Sequence, residues 1–367
     1  MTRLPKHIRR RINFLTSAWQ TSLTACHYNV FTFPFYFVRC IHLYFQHGFT
    51  PQETLHLNLH HLKTSISDSY ISKKYLLRLQ QALNHPSLQC LTEEKSLFYL
   101  HCMQLGIPIP RLFGIFCSSS TGLQIGTGPL YGEDQWIKFF DIHCPLRFVV
   151  KPSNGVYGND ILFIDKTDPS FSSASLYHQL THNIRYSSFV IQERLENHPD
   201  LQHINPKMGL QTFRVITLTI SPDDIAILYA FFKPITGDNL IDNHRGGETL
   251  NLLCPVEVPT GILQDLYIVG KTSVHKPERH PDTNRCLKGS LVPQWSAILN
   301  LAKDAAKAFL PLRCIGWDIA LCNNGVSIIE ANSRWDPLLF GNIQMVTKPI
   351  RDLLAINHPV PNRRFSR

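Results

Sequence analysis

The stretch GWDIALCNNGVSIIEAN, Gly316–Asn332, decides how the rest of the chain is read. Asp318 to Ala320 reads as a strand, Asn323-Asn324-Gly325 as a tight turn, and Val326 to Glu330 as the returning strand. A three-residue loop with Gly325 in the left-handed region pairs Cys322 with Val326. That register sets Asp318 across from Glu330, with Asn332 two residues further along the same face. A two-residue Asn-Gly turn would slip the register by one and separate the acids. Two carboxylates and an amide oxygen on one sheet face make a hard oxygen site, suited to Mg²⁺ carrying nucleotide phosphates rather than to zinc. The alternative is a half-buried hairpin whose acids face water.

Upstream lies a set of basic residues at strand ends. Arg147–Pro152 (RFVVKP) is a short apolar strand ending in Lys151. It feeds Ser153-Asn154-Gly155-Val156-Tyr157-Gly158 and a second strand, Ile161–Ile164. A glycine-bearing turn lets backbone N–H groups approach phosphate oxygens while Lys151 supplies a point charge. The lysine precedes the glycines and no helix follows, so this is not a Walker A loop; a plain hairpin is the alternative. Ser188–Leu195 (SFVIQERL) is a further strand whose polar end offers backbone groups to a base. Thr212–Thr219 alternates, putting Arg214 on a face with Ile216 and Leu218, and a cation there calls for an anionic partner. Tyr229–Pro234 repeats the arrangement with Lys233. Before these, Thr92 followed by acids reads as a helix N-cap, with the helix running past Lys95 to Gly106.

With 367 residues the chain can form two or three lobes, and 44% hydrophobic and 17% charged residues fit an ordinary globular protein. The formal net charge of +9 favours anionic partners, though much of the excess sits at the two ends. No motif of interleaved aromatics supports nucleic-acid binding, and none is expected. Ten cysteines without a CxxC pair read as reduced core thiols, which points to the cytoplasm. Residues 1–90 read as a basic, aromatic and helical region: Thr2–Gln20 is a basic helix, and Asn29–Phe45 is dense in aromatics. Arg39, His42 and Pro34 interrupt that run, which argues against a spanning helix. Peripheral contact of residues 1–46 with the inner face of a membrane is weighed against packing on the rest of the protein, the favoured reading. Leu23–Cys26 resembles a lipoprotein cleavage box, but its polar leader discounts it. His56 and His60, four apart, read as surface histidines on one helix face. Helical periodicity runs through Gly48–Asn84 (Leu55, Leu62, Tyr75, Leu76, Leu79, Leu83).

The order Lys95–helix–GIPIP, VVKP–GxxG, VIQE, TFRV, D…ExN resembles the ATP-grasp fold over roughly Leu91 to Phe340. Asn239–Gly247 (NLIDNHRGG) and His280–Trp295 (HPDTNRCLKGSLVPQW) look like the sugar-transfer-associated ATP-grasp subgroup. The resemblance implies an α/β (α+β) fold holding the nucleotide between two lobes, at 91–200 and 201–345, with a tail at 346–367. By the same resemblance, Lys95 and Lys151 contact the α- and β-phosphates under a flap from Gly155 to Gly158. Gln192, Glu193, Arg194 and Leu195 form the adenine hinge, His198 approaches the ribose, and Arg214 and Lys233 approach the γ-phosphate. Asp318, Glu330 and Asn332 would hold two Mg²⁺, with Mn²⁺ as an alternative. Gln192 departs from the glutamate of many members, and the flap is short. Read physically, Arg245-Gly246-Gly247, with Asn243 beside it, is a flexible loop with a fixed cation suited to a carboxylate or phosphate. His280, Asp282, Thr283 and Arg285 form a polar loop cluster, for which local Asx-turns are the alternative.

The activity implied is an ATP-dependent carboxylate–amine ligase working through an acyl-phosphate, on an amino acid or acidic sugar in polysaccharide assembly. A kinase on the same scaffold and a non-catalytic nucleotide-binding protein at the membrane are the rivals.

Overall fold

The computed structural model of the chain describes residues 5–26, 31–61, 70–155, 158–204, 209–270, 273–336 and 344–357. Two antiparallel sheets carry the architecture. The smaller contains β1 (Leu112–Cys117), β2 (Thr121–Gln124), β3 (Gly128–Tyr131), β4 (Arg147–Pro152), β5 (Leu162–Asp165) and β6 (Ser188–Glu193). Its spatial order is β3-β2-β1-β6-β4-β5. The larger contains β7 (Thr212–Ser221), β8 (Asp224–Lys233), β9 (Leu252–Val256), β10 (Tyr267–Val269), β11 (Val274–His275), β12 (Cys314–Cys322) and β13 (Gly325–Asn332). Its order is β11-β10-β9-β8-β7-β12-β13.

β12 is buried at every position because both faces of the large sheet are covered there. The helix Trp295–Ala308 repeats apolar residues at helical spacing (Ile298, Leu301, Ala302, Ala305) and lays them against Phe213, Val215, Trp317 and Ile319. On the opposite face, the helix Lys73–Leu83 packs Leu76, Leu79 and Leu83 against Ile216, Leu218 and Trp335. Buried Asn84 fixes that helix to β12: it donates to Cys314 O at 2.6 Å and accepts from Cys314 N at 3.0 Å. The last part of the N-terminal helical region is therefore built into the large sheet's core. The small sheet has its own core, in which Trp136, Phe139 and Phe140 meet Phe116, Phe148 and Leu176.

Several boundaries differ from the sequence reading. The N-terminal helix α1 runs Lys6–Ala25, past Gln20, and residues 1–4 lie outside the described ones. The aromatic run becomes α2 (Phe33–His47). Thr92 is not an N-cap: it sits inside a short helix, Cys90–Glu93, and its hydroxyl donates to Gln89 O at 3.0 Å. The chain breaks helix at Glu94 (ψ 105°) and a new helix, Lys95–Gln104, begins with Lys95 itself. His56 and His60 do not share a helix face, because α3 (Pro51–His56) stops at His56. His60 is buried beneath Tyr36, ring centroids 5.1 Å apart, and burial, with the charges of His61 and Arg39, lowers its imidazole to about 4. Leu62 lies outside the described residues.

Candidate phosphate and cation site

The β12–β13 hairpin sets the acids opposite one another by a route the sequence reading did not take. Cys322 pairs with Gly325, so the connecting loop is Asn323-Asn324 alone rather than three residues. Pairing continues through Leu321↔Val326, Ala320↔Ser327 and Ile319↔Ile328, and then shifts so that Asp318 meets Glu330. Ile329 is left over as a β-bulge. One extra residue in one strand switches the face taken by everything beyond it. Val326 and Ile328 point into the core, and beyond the bulge Ala331 does. Glu330 and Asn332 are thereby turned to the face that carries Asp318 and Arg214. The Tyr99 hydroxyl donates to Ile329 O at 2.8 Å and satisfies the bulge carbonyl.

On that face the charges interlock. Arg214 lies directly across from Asp318 on β7, and its Nε and Nη2 donate to the two carboxylate oxygens, Nη2 at 2.7 Å from Oδ2. Lys233 Nζ, at the end of β8, lies 3.1 Å from Asp318 and 2.8 Å from Asp242. Burial alone would raise the Asp318 carboxyl, but Arg214 and Lys233 outweigh it and hold it at about 2. Lys151 is lowered to about 8, first by burial and then by Lys95, against the opposing pull of Glu330 and Asp242. Glu330 thus acts electrostatically on Lys151 from the other sheet. Among the described residues its carboxylate makes no hydrogen bond or ion pair.

The glycine turn is held at both ends. Lys95 donates twice to it, N to Ser153 O at 2.7 Å and Nζ to Gly155 O at 2.7 Å. Arg245 Nη2 donates to Gly158 O at 2.9 Å, which brings the Asn239–Gly247 motif against the flap. Gly158 has φ +66°, and a Cβ there would come within 2.6 Å of Ile241 Cδ1. Val156 and Tyr157 lie outside the described residues.

The hinge residues run along and out of β6. Gln192 is buried between Leu112 and Val149, and its Oε1 has no hydrogen-bond partner among the described residues. Glu193 accepts from Arg111 N at 3.2 Å, and the Arg194 guanidinium stacks over the Phe163 ring at 5.4 Å. Leu195 is half-buried. His198 donates its backbone N–H to Leu321 O at 2.9 Å and accepts from Asp200 N through Nδ1, so the hinge is seated on the end of β12.

The two motif loops have different surroundings. Asn243 Oδ1 accepts from Arg245 N at 2.8 Å, and Gly247 (φ +95°) closes the single turn Arg245–Gly247 that includes Gly246. In the second loop buried His280 meets Ile235 O through Nε2 at 3.0 Å, and Asp282 accepts from Gly237 N at 2.6 Å. Thr283 Oγ1 is buried without a hydrogen-bond partner among the described residues, and Arg285 is exposed, its carbonyl accepting from His280 N. The structure brings Arg245 to the flap, whereas the His280 ring and the Asp282 carboxylate contact the backbone after β8. Sequence reasoning missed Asp242, which joins Lys233 to the Thr212 hydroxyl. Its signal was present: it is the only acid in NLIDNHRGG.

The donors fit a hard cation. Among the described residues the Glu330 carboxylate, across from Asp318, makes no hydrogen bond or ion pair and the buried Nδ2 of Asn332 has no hydrogen-bond partner, so no contact with them fixes which end of that amide faces the acids. No group of three or more His, Cys, Asp or Glu suited to a metal occurs among the described residues. A cation at this face would complete its shell with Asn332 and with oxygens from phosphates or water, as Mg²⁺ does.

Two antiparallel sheets, one leading through Lys151 into a glycine turn that Lys95 contacts and the other bearing carboxylates, define an α/β protein of the ATP-grasp fold. The chain belongs to the sugar-transfer associated ATP-grasp family, whose model matches residues 75–350. No curated protein matches it. Among solved structures, D-alanine–D-alanine ligase from Helicobacter pylori is 14% identical with a TM-score of 0.42, covering 73% of this chain and 62% of its own. L-amino acid ligase from Bacillus licheniformis is 14% identical (TM-score 0.34), covering 66% of this chain and 41% of that one. Biotin carboxylase from Campylobacter jejuni is 12% identical (TM-score 0.40), covering 72% and 46%. The chain therefore spans less than two thirds of the length of each.

Proposed function

We propose that the protein is an ATP- and Mg²⁺-dependent carboxylate–amine ligase that makes an amide through an acyl-phosphate, on an amino acid or acidic sugar in polysaccharide assembly. The observation that carries the reading is Glu330, paired across from Asp318 on the large sheet and acting electrostatically on Lys151 at the end of the small sheet's β4. Lys95 and Lys151 would hold the α- and β-phosphates, with Gly155 and Gly158 giving the backbone close approach. Gln192 to Leu195 would bind the base. Asp318, Glu330 and Asn332 would hold Mg²⁺, which when bound neutralises charge on the phosphates. Mn²⁺ would suit the same donors.

In the reaction a substrate carboxylate oxygen attacks the γ-phosphorus and ADP leaves; an amine then attacks the acyl carbon and phosphate leaves. Hydroxide is a poor leaving group, and phosphate replaces it. The protein's share is positioning and charge. Arg214 and Lys233 would present cations to the transferred group. Asp318 keeps both in place by its ion pairs, and Asp242 holds Lys233 from the other side. Arg245, fixed to the flap, would direct the carboxylate substrate, with Asn243, Gly246 and Gly247 shaping the turn. His280, Asp282, Thr283 and Arg285 would set specificity from the neighbouring loop.

The test is turnover of ATP against a panel of amino acids and uronic acids, with ADP and AMP quantified and hydroxylamine as a trap. ADP together with a hydroxamate is expected. ADP with a phosphorylated hydroxyl and no hydroxamate would make the protein a kinase, and AMP would exclude both.

A further inference from the structure

The N-terminal hairpin carries a second surface with its own chemistry. Along α1, Ile8, Ile12, Leu15 and Trp19 recur at helical spacing and fall on one narrow stripe. They are exposed although apolar: Ile12, Leu15 and Trp19 at 47%, 49% and 52%. Ala18 and Thr21, on the adjoining side of the same helix, are buried, and buried Ser22 ends the stripe. α2 repeats the arrangement with Phe35, Val38 and Phe45 at 61%, 64% and 72%. The helices are joined through rings, Trp19 on Phe33 at 4.5 Å and Phe14 on Phe45 at 6.4 Å. The aromatic run is thus divided: Phe33, Tyr36, Phe37 and Tyr44 are half-buried, while Phe35 and Phe45 face outward.

The charge carried by this part of the sequence has one sign. Residues 1–52 contain six Lys or Arg (Arg3, Lys6, Arg9, Arg10, Arg11, Arg39) and no Asp or Glu; Glu53 is the first acid. Arg9 and Arg11 are exposed on α1. An apolar stripe with an aromatic at its end and arginines flanking it is complementary to an interface that offers hydrocarbon beneath anionic headgroups. No helix among the described residues is long and apolar enough to cross a membrane. The stripe from Ile8 to Trp19 is about 16 Å long at the helical rise, a length that lies along a surface.

We propose that α1 and α2 seat the protein on an anionic lipid bilayer, with Ile8, Ile12, Leu15, Trp19, Phe35 and Phe45 in the headgroup–acyl boundary. The partner is the lipid surface itself. A protein partner or a second copy of the chain would be distinguished by the same experiment.

The intact chain is sedimented with phosphatidylcholine vesicles, with or without phosphatidylglycerol. Binding to the anionic vesicles and little binding to the neutral ones is expected. Ile12→Glu/Leu15→Glu should abolish binding. Arg9→Gln/Arg11→Gln should weaken binding to anionic vesicles by about fivefold per cation, while leaving any residual binding to neutral vesicles unchanged. Unaltered nucleotide affinity in both variants would show that the fold is intact, and neither variant touches the phosphate site, so the outcome is independent of the proposed reaction. Equal binding to both vesicle types, or no binding by the parent chain, overturns the proposal. A parent dimer that Ile12→Glu/Leu15→Glu converts to monomer without any vesicle binding would assign the surface to a second copy instead.

Discussion

Replacing Glu330 by glutamine separates the cation site from the fold. The glutamate carboxylate has no hydrogen bond or ion pair among the described residues, and the amide has nearly the same shape. The change should therefore move stability by no more than about 0.5 kcal/mol, a shift in Tm of about 2 °C or less for a chain of this size. Its electrical effect is larger. One of two facing anions is lost, and the counter-charge that raises the Lys151 ammonium goes with it. Changing a residue that only orients a metal ligand typically costs 10–100-fold; losing a ligand itself should cost at least about 100-fold in ADP release at fixed Mg²⁺. Nucleotide affinity without Mg²⁺ should stay the same or tighten, since an anion has been removed beside the phosphates. The assay is ADP release across a Mg²⁺ titration, paired with thermal melting and nucleotide binding in chelator. Parental turnover with an unchanged Mg²⁺ dependence would refute the assignment.

Other consequences can be measured separately. Lys151 is protonated below about 8 in the free protein. Nucleotide affinity should therefore be level at neutral pH and fall about tenfold per pH unit above that point; Lys151→Ala should bind more weakly and show no such decline. Tyr99→Phe leaves the bulge carbonyl of Ile329 without its donor and should cost about 1–3 kcal/mol by urea denaturation. Gly158→Ala imposes φ +66° on a residue with a Cβ and presses it on Ile241. It should cost about 1 kcal/mol or more at the flap, read as weaker nucleotide binding.

Much of the site was legible because its residue types are tied to strand ends and to period-two alternation. Arg214 on the face of Ile216 and Leu218 follows from alternation, whereas Lys233 and Lys151 stand at or next to the ends of the apolar strands β8 and β4. The hairpin was harder. Strict alternation from Val326 and Ile328 would send Glu330 into the core, and nothing in SIIEAN marks Ile329 as the residue left unpaired. Asp242 escaped because its partners Lys233 and Thr212 are distant in sequence, and a loop carries no periodicity to relate them. The burial of His60 depends on where α3 ends and on Tyr36 arriving from α2, which local pattern does not encode.

The short tip at Asn323-Asn324 and the spare residue at Ile329 act together like a parity check on the chain. Either irregularity alone inverts which residues share the face of Asp318; both together cancel. A relative with one more residue at the tip should lack the spare one, and one that keeps the tip should keep Ile329's counterpart. Single-residue indels on this arm should therefore be tolerated only in compensating pairs.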